Sequence, residues 1–323
     1  MPRASLAFLL AGALSLLLAG CQSASEANPP APAWQSLPEA RRPPAPADPE
    51  RTRELARQAP AEDMVLIPGG AFDMGVANGL DHERPVHRVT VKPFWMDRHE
   101  VTVAEFARFV AKTGYQTEAE KYGWAGAFDP AKGEWGVAEG ANWQHPDGAD
   151  STAVADEPVC QVSWNDAVAY AKWAEKRLPT EAEWEFAARG GLEDQLYAWG
   201  SDLRPHGKPV ANWWQGHFPD APVDEDGFAG RAPVGSFPGN GYGLLDITGN
   251  VWEWTADWLG WDYYAHSPSE SPRGPDTGKE KAIRGGSWLC SENFCQGFRV
   301  GARMGSEPDS GLNNLGFRCV RDP

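Results

Sequence analysis

The centre of the chain reads Lys176-Arg-Leu-Pro-Thr-Glu-Ala-Glu-Trp-Glu185. Thr180 and Glu183 have the spacing of a capping box, in which the hydroxyl accepts a hydrogen bond from a backbone N–H one turn on and the carboxylate accepts one in return. The glycine pair at 190–191 is a typical helix stop. The stretch therefore predicts a short helix that begins after Thr180 and ends at Gly190.

The same signature occurs twice upstream of this helix. Thr102-Val-Ala-Glu105 and Ser163-Trp-Asn-Asp166 each precede an apolar run, and each predicts a helix start. Two strands are also expected: Met64-Val-Leu-Ile before a Pro-Gly-Gly turn, and Val86 to Lys92, where valines alternate with polar residues.

From about residue 192 to the end, the helical pattern fades and Gly, Pro, Asn, Asp and Trp dominate. The whole chain has 323 residues with 16 Trp, 35 Gly and 28 Pro. This composition favours an α+β domain with much of its mass in ordered loops pinned by aromatic side chains. The formal net charge of -16 argues against nucleic acid as a partner and is compatible with a cationic one.

The N-terminus has the features of an export signal. Met-Pro-Arg is followed by an apolar run from Ala4 to Gly20, and then by Cys21. Leu18-Ala-Gly-Cys21 resembles the lipobox of bacterial lipoproteins, which implies a lipid on Cys21. We expect residues 1–20 to be a signal peptide, residues 21–61 a disordered Pro/Ala-rich tether, and residues 62–323 the folded domain. An uncleaved membrane anchor is the alternative for the apolar run.

These features predict an exported protein held on a bacterial membrane by its lipid. The domain would face the periplasm, and the membrane would be the outer one if the organism is Gram-negative. Export also permits disulfides.

Two of the remaining cysteines, Cys290 and Cys295, lie five positions apart in Arg284-Gly-Gly-Ser-Trp-Leu-Cys290-Ser-Glu-Asn-Phe-Cys295. Closely spaced thiols form a disulfide, bind a soft metal or carry out redox chemistry. Spacing alone leaves the disulfide and the metal site nearly balanced.

Several segments together resemble the formylglycine-generating enzyme family, also called sulfatase-modifying factors. The resemblance covers roughly residues 62 to 321 and implies a variant of the C-type-lectin fold. The segments are Met64-Val-Leu-Ile-Pro-Gly-Gly, Val162-Ser-Trp-Asn-Asp-Ala, Lys176 to Glu185, Asn240-Gly-Tyr-Gly-Leu, Gly249-Asn-Val-Trp-Glu-Trp, Arg284-Gly-Gly-Ser and Asn314-Leu-Gly-Phe-Arg-Cys319.

The resemblance implies a copper-dependent oxidase. Cys290 and Cys295 fall at the positions of the family's copper-binding cysteines, and thiolates suit Cu(I). The implied reaction uses O2 to convert a cysteine of an unfolded sulfatase, in a Cys-x-Pro-x-Arg motif, into Cα-formylglycine. Ser287 matches a serine of the family's active-site pocket, and Trp252 matches an aromatic wall near the copper. Phe294 departs from the family, where tyrosine is common, and the missing hydroxyl bears on substrate positioning.

The resemblance also implies two structural calcium sites, since calcium prefers six to eight oxygens on loops. Ordinary turn chemistry is the alternative for both clusters. The first set is the side chains of Asn212 and Asp226 with the carbonyls of Trp213 and Phe228. The second is the side chains of Asp246 and Glu253 with the carbonyls of Gly249 and Val251.

Cys319 matches a position that is disulfide-bonded in some family members, but the usual partner position holds Ala171 here. A bridge between Cys160 and Cys319 is therefore a hypothesis, and two buried free thiols are the alternative.

A second class of function fits the same scaffold: a non-catalytic ligand-binding or assembly lipoprotein. The cysteine pair distinguishes the two, since such relatives generally lack it. A sulfoxide synthase ranks low, because no histidine-rich helical domain precedes residue 62. We expect a monomer.

Overall fold

Short helices and strands joined by long ordered loops make up the described part of the chain. The structure is a computed structural model that describes residues 63–323 together with Glu50, Glu54 and Leu55. The expected α+β class with little regular structure is confirmed. The predictions for residues 1–20, for Cys21 and for nearly all of the tether fall outside the described residues.

The regular elements follow one another in this order. The helices are α1 (Val103–Thr113), α2 (Glu118–Tyr122), α3 (Trp164–Trp173) and α4 (Glu181–Arg189), with 3-10 turns at Asp81–Glu83, Pro205–Gly207 and Tyr263–Ala265. The strands are β1 (Met64–Ile67), β2 (Gly70–Met74), β3 (His87–Val91), β4 (Phe94–Asp97), β5 (Trp124–Asp129), β6 (Glu134–Glu139), β7 (Gln215–His217), β8 (Ala221–Val223), β9 (Trp252–Trp258), β10 (Lys281–Arg284), β11 (Arg303–Ser306), β12 (Leu315–Gly316) and β13 (Val320–Arg321). Within the described ranges, no helix has the length and apolarity needed to cross a membrane.

The capping boxes define the helix starts as predicted. Thr102, Ser163 and Thr180 are the N-caps of α1, α3 and α4, and each box is complete. Helix α4 ends at Gly190, which has a left-handed backbone. A fourth box at Thr117 opens α2, which the sequence analysis overlooked because this helix has only five residues.

In the part of the chain that the structure describes, the strands form two small sheets and three hairpins. One sheet has the order β1-β4-β13, and both of its pairs are antiparallel. The other has the order β11-β10-β9-β12, in which only the β9–β12 pair is parallel. The hairpins are β2–β3, β5–β6 and β7–β8.

Helix α4 lies in the core, and its acidic side chains are buried with it. Glu181 accepts hydrogen bonds from Arg284 at 2.8 Å and from Arg303 at 2.6 Å. Glu185 accepts from Arg284 at 2.7 Å and from Arg189 at 2.6 Å. Buried charges are tolerated only when paired and hydrogen-bonded in this way. Because Arg284 is the last residue of β10, the network fixes the start of the cysteine-bearing segment to α4.

Burial of Asp257 on β9 gives a testable pH dependence. Burial, assisted by the charge of Glu181, raises the pKa of Asp257 from 3.8 to about 8. Between these values the folded protein holds a proton that the unfolded chain releases, so the free energy of unfolding falls as the pH rises through that window. Asp257→Asn removes this titration and keeps an acceptor for the Glu181 N–H. Since one pKa unit corresponds to about 1.4 kcal/mol, we expect the variant's free energy of unfolding to gain several kcal/mol on that of wild type between pH 4 and pH 8.

Urea unfolding at a series of pH values measures this difference. Asp276→Asn, at an exposed position, is the control and should leave the pH profile unchanged. Parallel profiles for Asp257→Asn and wild type would contradict the burial effect.

The hypothesis of a Cys160–Cys319 bridge is wrong. Both cysteines are buried free thiols, as in the alternative. Cys319 lies beside β4, where its N–H donates to Asp97 at 2.9 Å, whereas Cys160 precedes α3. Burial raises the pKa of the Cys160 thiol to about 12, so this thiol stays protonated and unreactive.

Candidate active site at the cysteine pair

Cys290 and Cys295 contact each other just beneath the protein surface. Their Cα atoms are 5.5 Å apart, and the two sulfur atoms are joined as a disulfide. Cys290 is only 1% exposed, whereas Cys295 is half-buried. The disulfide is one of the two alternatives that the spacing left open. Side chains that meet in this way also present two soft sulfur donors to one ion when they are reduced, so the donor set fits Cu(I).

Two glycines close the segment into a loop around the pair. A Cβ on Gly286 would lie 2.5 Å from the backbone of Gly297 and Phe298. The two ends of the loop therefore approach more closely than any side chain would allow. Gly286 also has φ 73°, in the left-handed region that favours glycine.

Trp252 forms a wall beside the buried cysteine. A Cβ on Gly297 would lie 2.5 Å from the Trp252 ring and 2.9 Å from the sulfur of Cys290. The ring edge and this sulfur thus face the same point. Trp252 begins β9, and its N–H donates to the carbonyl of Asn314. Its position is therefore fixed by the four-stranded sheet that contains β9.

Ser287 is buried and hydrogen-bonded to Asn314. Its hydroxyl accepts from Asn314 Nδ2 at 2.9 Å and from the Leu289 N–H at 3.3 Å. Asn314 Oδ1 is buried and has no hydrogen-bond partner among the described residues. A buried acceptor left open is costly in a folded protein, which marks Asn314 as a site residue that the sequence analysis missed. Asn314 opens one of the segments that carry the family resemblance, but nothing in the sequence marks its side chain as part of a site.

A row of aromatic rings leads away from the pair. Phe294 is 50% exposed and stacks on Phe218 with ring centres 4.6 Å apart. Phe218 stacks in turn on Phe128 at 5.3 Å. We call these three rings the aromatic row.

Phe128 also lines a cavity of about 560 Å³ against the β5–β6 hairpin. Acidic residues predominate among the charged side chains of its walls, and we call it the acidic cavity. Its charged residues are Asp129, Lys132, Glu134, Glu139, Asp147 and Asp150.

The first predicted calcium cluster has two converging oxygens. The side-chain nitrogen of Gln215 donates both to the Trp213 carbonyl and to Asp226 Oδ2. One point is therefore within reach of both oxygens, as a cation requires. Asn212 donates its amide nitrogen to Gly230 and Asn250, and Phe228 contacts Asp226 through its N–H rather than its carbonyl.

The second predicted cluster is only partly open to a cation. Asp246 Oδ1 is buried without a partner among the described residues, while its Oδ2 accepts from the Gly235 N–H. Both oxygens of Glu253 are bound by Arg318, and Trp184 donates to one of them. Asp246 thus fits a cation ligand, and the carboxylate of Glu253 is already neutralised.

Both clusters connect directly to the cysteine loop. The Trp214 N–H donates to the carbonyl of Cys290, and the Trp288 N–H donates to that of Asn250. Asn250 in turn donates its N–H to the Asn212 carbonyl. Cations at these clusters would therefore stiffen the backbone that carries Cys290.

We propose that calcium binds the first cluster, and binding there should raise the melting temperature. At one hundred times the dissociation constant the stabilisation is about 2.7 kcal/mol for one site. Asp226→Ala removes one of the converging oxygens and should abolish the stabilisation that calcium supplies at the first cluster. Differential scanning calorimetry with calcium or EDTA measures both effects, with Asp224→Ala at the exposed neighbouring position as the control. Identical calcium responses of the two variants would contradict the assignment.

Comparison with known proteins agrees with this fold. The solved structure of PvdO from Pseudomonas aeruginosa superimposes with a TM-score of 0.62 at 28% identity, over 80% of this chain and 94% of that one. The fold is thus the α+β C-type-lectin-like variant that the sequence predicts. Residues 50–323 match the family described as "Sulfatase-modifying factor enzyme 1-like domain".

The chain belongs to this sulfatase-modifying factor family. It is 48% identical over 288 residues to the formylglycine-generating enzyme of Bos taurus, covering 82% of this chain and 76% of that one. It is also 44% identical over 278 residues to "Inactive C-alpha-formylglycine-generating enzyme 2" of Mus musculus, covering 80% and 85%. Because the family includes an inactive member, activity has to be argued from the site.

Proposed function

We propose that this protein is a copper-dependent oxidase that converts a sulfatase cysteine into Cα-formylglycine with O2. The observation that carries the proposal is the cysteine pair itself. One sulfur is buried against Trp252, and the other is half-exposed beside the aromatic row. Relatives that share nearly half of its residues and bear the name formylglycine-generating enzyme support the same reaction.

The proposed metal site uses only groups already in contact. Cu(I) held between the thiolates of Cys290 and Cys295 would supply one-electron chemistry with O2, which side chains lack. The pair is a disulfide in the structure, so a thiol reductant has to open it before it binds metal. Cys295, the more accessible of the two, would face the incoming substrate.

The reaction balances with one external reductant. The substrate side chain CH2–SH, O2, two protons and two electrons give an aldehyde, hydrogen sulfide and water. A thiol reductant supplies the two electrons and becomes a disulfide. Trp252 keeps water from the buried side of the pair, and the open acceptor on Asn314 would orient the substrate backbone or its thiol.

The substrate motif fits the surface beside the pair. A proline ring would pack on Phe294, the exposed ring of the aromatic row, since apolar rings bury well against each other. An arginine would be attracted to the acidic cavity at the far end of this row. The surface therefore suits a Cys-x-Pro-x-Arg segment that is extended rather than folded.

Loss of charge in the acidic cavity should weaken substrate binding without slowing the chemistry. Glu134→Gln combined with Asp150→Asn is expected to raise KM for such a peptide about fivefold, with kcat within about twofold, because the removed attraction acts equally before and during the reaction. Steady-state kinetics measures both constants. Glu193→Gln, an exposed acid outside the cavity, is the control. A fall in kcat at constant KM would contradict this role.

Copper binding tests the proposal apart from turnover. After reduction, the full chain should bind one Cu(I) in competition with a chelator, and replacing either cysteine of the pair should remove this binding. Formylglycine production should stop under nitrogen and return with O2. Turnover that persists without copper or without O2 would overturn the proposal.

The second candidate is a non-catalytic ligand-binding or assembly protein on the same scaffold. The inactive relative, 44% identical, favours it. In that case the pair would be a structural disulfide. Its replacement would then lower stability and leave ligand binding intact.

Export and lipid anchoring are proposals about the N-terminal segment. The lipobox-like Leu18-Ala-Gly-Cys21 supports a periplasmic lipoprotein. Metabolic labelling with palmitate should mark wild type and not Cys21→Ser, and equal labelling of the two would contradict the anchor.

A further inference from the structure

Cys295 lies in a strained part of the cysteine loop. It has φ 56°, and the next residue, Gln296, has φ 46°. Two successive residues other than glycine in the left-handed region persist only when the surroundings hold them there. The backbone within the loop supplies part of this restraint: the Ser291 N–H donates to the Phe294 carbonyl at 2.9 Å, and the Gln296 N–H donates to the same carbonyl at 2.8 Å.

On the Cys295 side of the loop, Asn293 supplies a restraint from outside. Its Oδ1 accepts from the Phe218 N–H at 3.1 Å, and its Nδ2 donates to the Phe218 carbonyl at 3.1 Å. The Ser291 hydroxyl also donates to Oδ1 at 2.9 Å. The Asn293 amide thus binds the Ser291 side chain within the loop and the backbone of Phe218 outside it.

Phe218 is itself well fixed. It follows β7 directly and stacks on Phe128, and its ring also meets Phe294. The Trp214 N–H holds the backbone at Cys290 from outside the loop. Between the two cysteines, an exposed contact joins Glu292 to Arg204 at 3.1 Å. Because this ion pair is open to solvent, it restrains the loop much less than the paired amide bonds do.

We propose that Asn293 is the positioning residue that holds Cys295 against Cys290, so that the two thiols act as one unit. This inference rests on the proposed function, because it concerns the same pair. Asn293 touches neither sulfur in any described contact. It acts by keeping the strained backbone of Cys295 in place, which raises the effective concentration of one thiol at the other.

The equilibrium of the pair with glutathione measures this effect directly. Two protein thiols and one glutathione disulfide give the Cys290–Cys295 disulfide and two glutathione thiols, so no further oxidant is needed. In Asn293→Ala we expect the midpoint to shift on the order of tenfold towards the dithiol form, as when preorganisation is lost. Cu(I) affinity in a chelator competition should fall in parallel, while the melting temperature changes little.

Two variants separate positioning from general destabilisation. Glu292→Gln removes the charge from the exposed tie in the same loop and should keep the wild-type midpoint. Phe294→Leu removes the ring contact, keeps both amide bonds, and should also stay near wild type. An unchanged midpoint in Asn293→Ala, or an equal shift in Glu292→Gln, would overturn the inference.

Peptide turnover by wild type is measured alongside. If wild type makes no formylglycine but the Asn293→Ala midpoint shifts, the positioning role stands and the proposed function fails. If wild type is active and the Asn293→Ala midpoint and Cu(I) affinity equal those of wild type, the positioning role alone is lost.

Discussion

Replacing Cys290 or Cys295 by serine is expected to reduce formylglycine production by at least about a thousandfold, since residues that act as a unit fail together. A hydroxyl keeps the size of the thiol but is a hard, weakly acidic group that does not hold Cu(I). The double variant should be no worse than either single one. Product is measured by mass spectrometry of the substrate peptide.

Cys160→Ala is the matched control for this prediction. Cys160 is a buried free thiol away from the pair, and its replacement should change stability slightly and turnover little. If Cys290→Ser and Cys295→Ser lower stability but retain wild-type turnover, the pair is a structural disulfide.

Arg284→Met is expected to destabilise the protein by about 3–5 kcal/mol, because each of two buried carboxylates loses one of its two arginine partners. Arg284 is fully buried and bonds Glu181, Glu185 and the Val300 carbonyl. Burial alone raises the pKa of Glu181, but Arg303 and Arg284 outweigh it and hold this pKa below 4.5. The stabilisation from the ion pair is therefore present above that pH and is lost as the pH falls below it.

Chemical denaturation at pH 7 and pH 4 measures the size of this loss in the free energy of unfolding and the direction in which the loss changes with pH. The control is Arg84→Met, which breaks an exposed pair with Asp81 and should cost less than about 1 kcal/mol. Similar losses for the two variants, or a larger loss for Arg284→Met at the lower pH, would contradict the network.

Local signals in the sequence predicted local structure well. The boxes at Thr102, Ser163 and Thr180 define real helix starts, because both partners of each box lie within one turn. The loop-rich C-terminal half also follows from composition. The box at Thr117 was overlooked, since a five-residue helix leaves no periodic pattern to support it.

Local sequence patterns did not predict the contacts between distant segments. Glu181 and Glu185 look like solvent-facing residues of a capped helix, yet arginines about a hundred positions further on bury them. The Cys160–Cys319 hypothesis failed for the same reason, as no spacing reports which buried thiols meet. Asn314 and Asn293 became visible only through their partners in the folded protein.

The most direct test of the central claim is the mass of a Cys-x-Pro-x-Arg peptide after incubation with the reduced, Cu(I)-loaded protein, a thiol reductant and O2. The account predicts a loss of about 18 Da at the cysteine, unlike simple thiol oxidation, which adds oxygen. Wild type should produce this loss, and Cys290→Ser and Cys295→Ser should not. Several such peptides that all keep their mass with wild type would contradict the account.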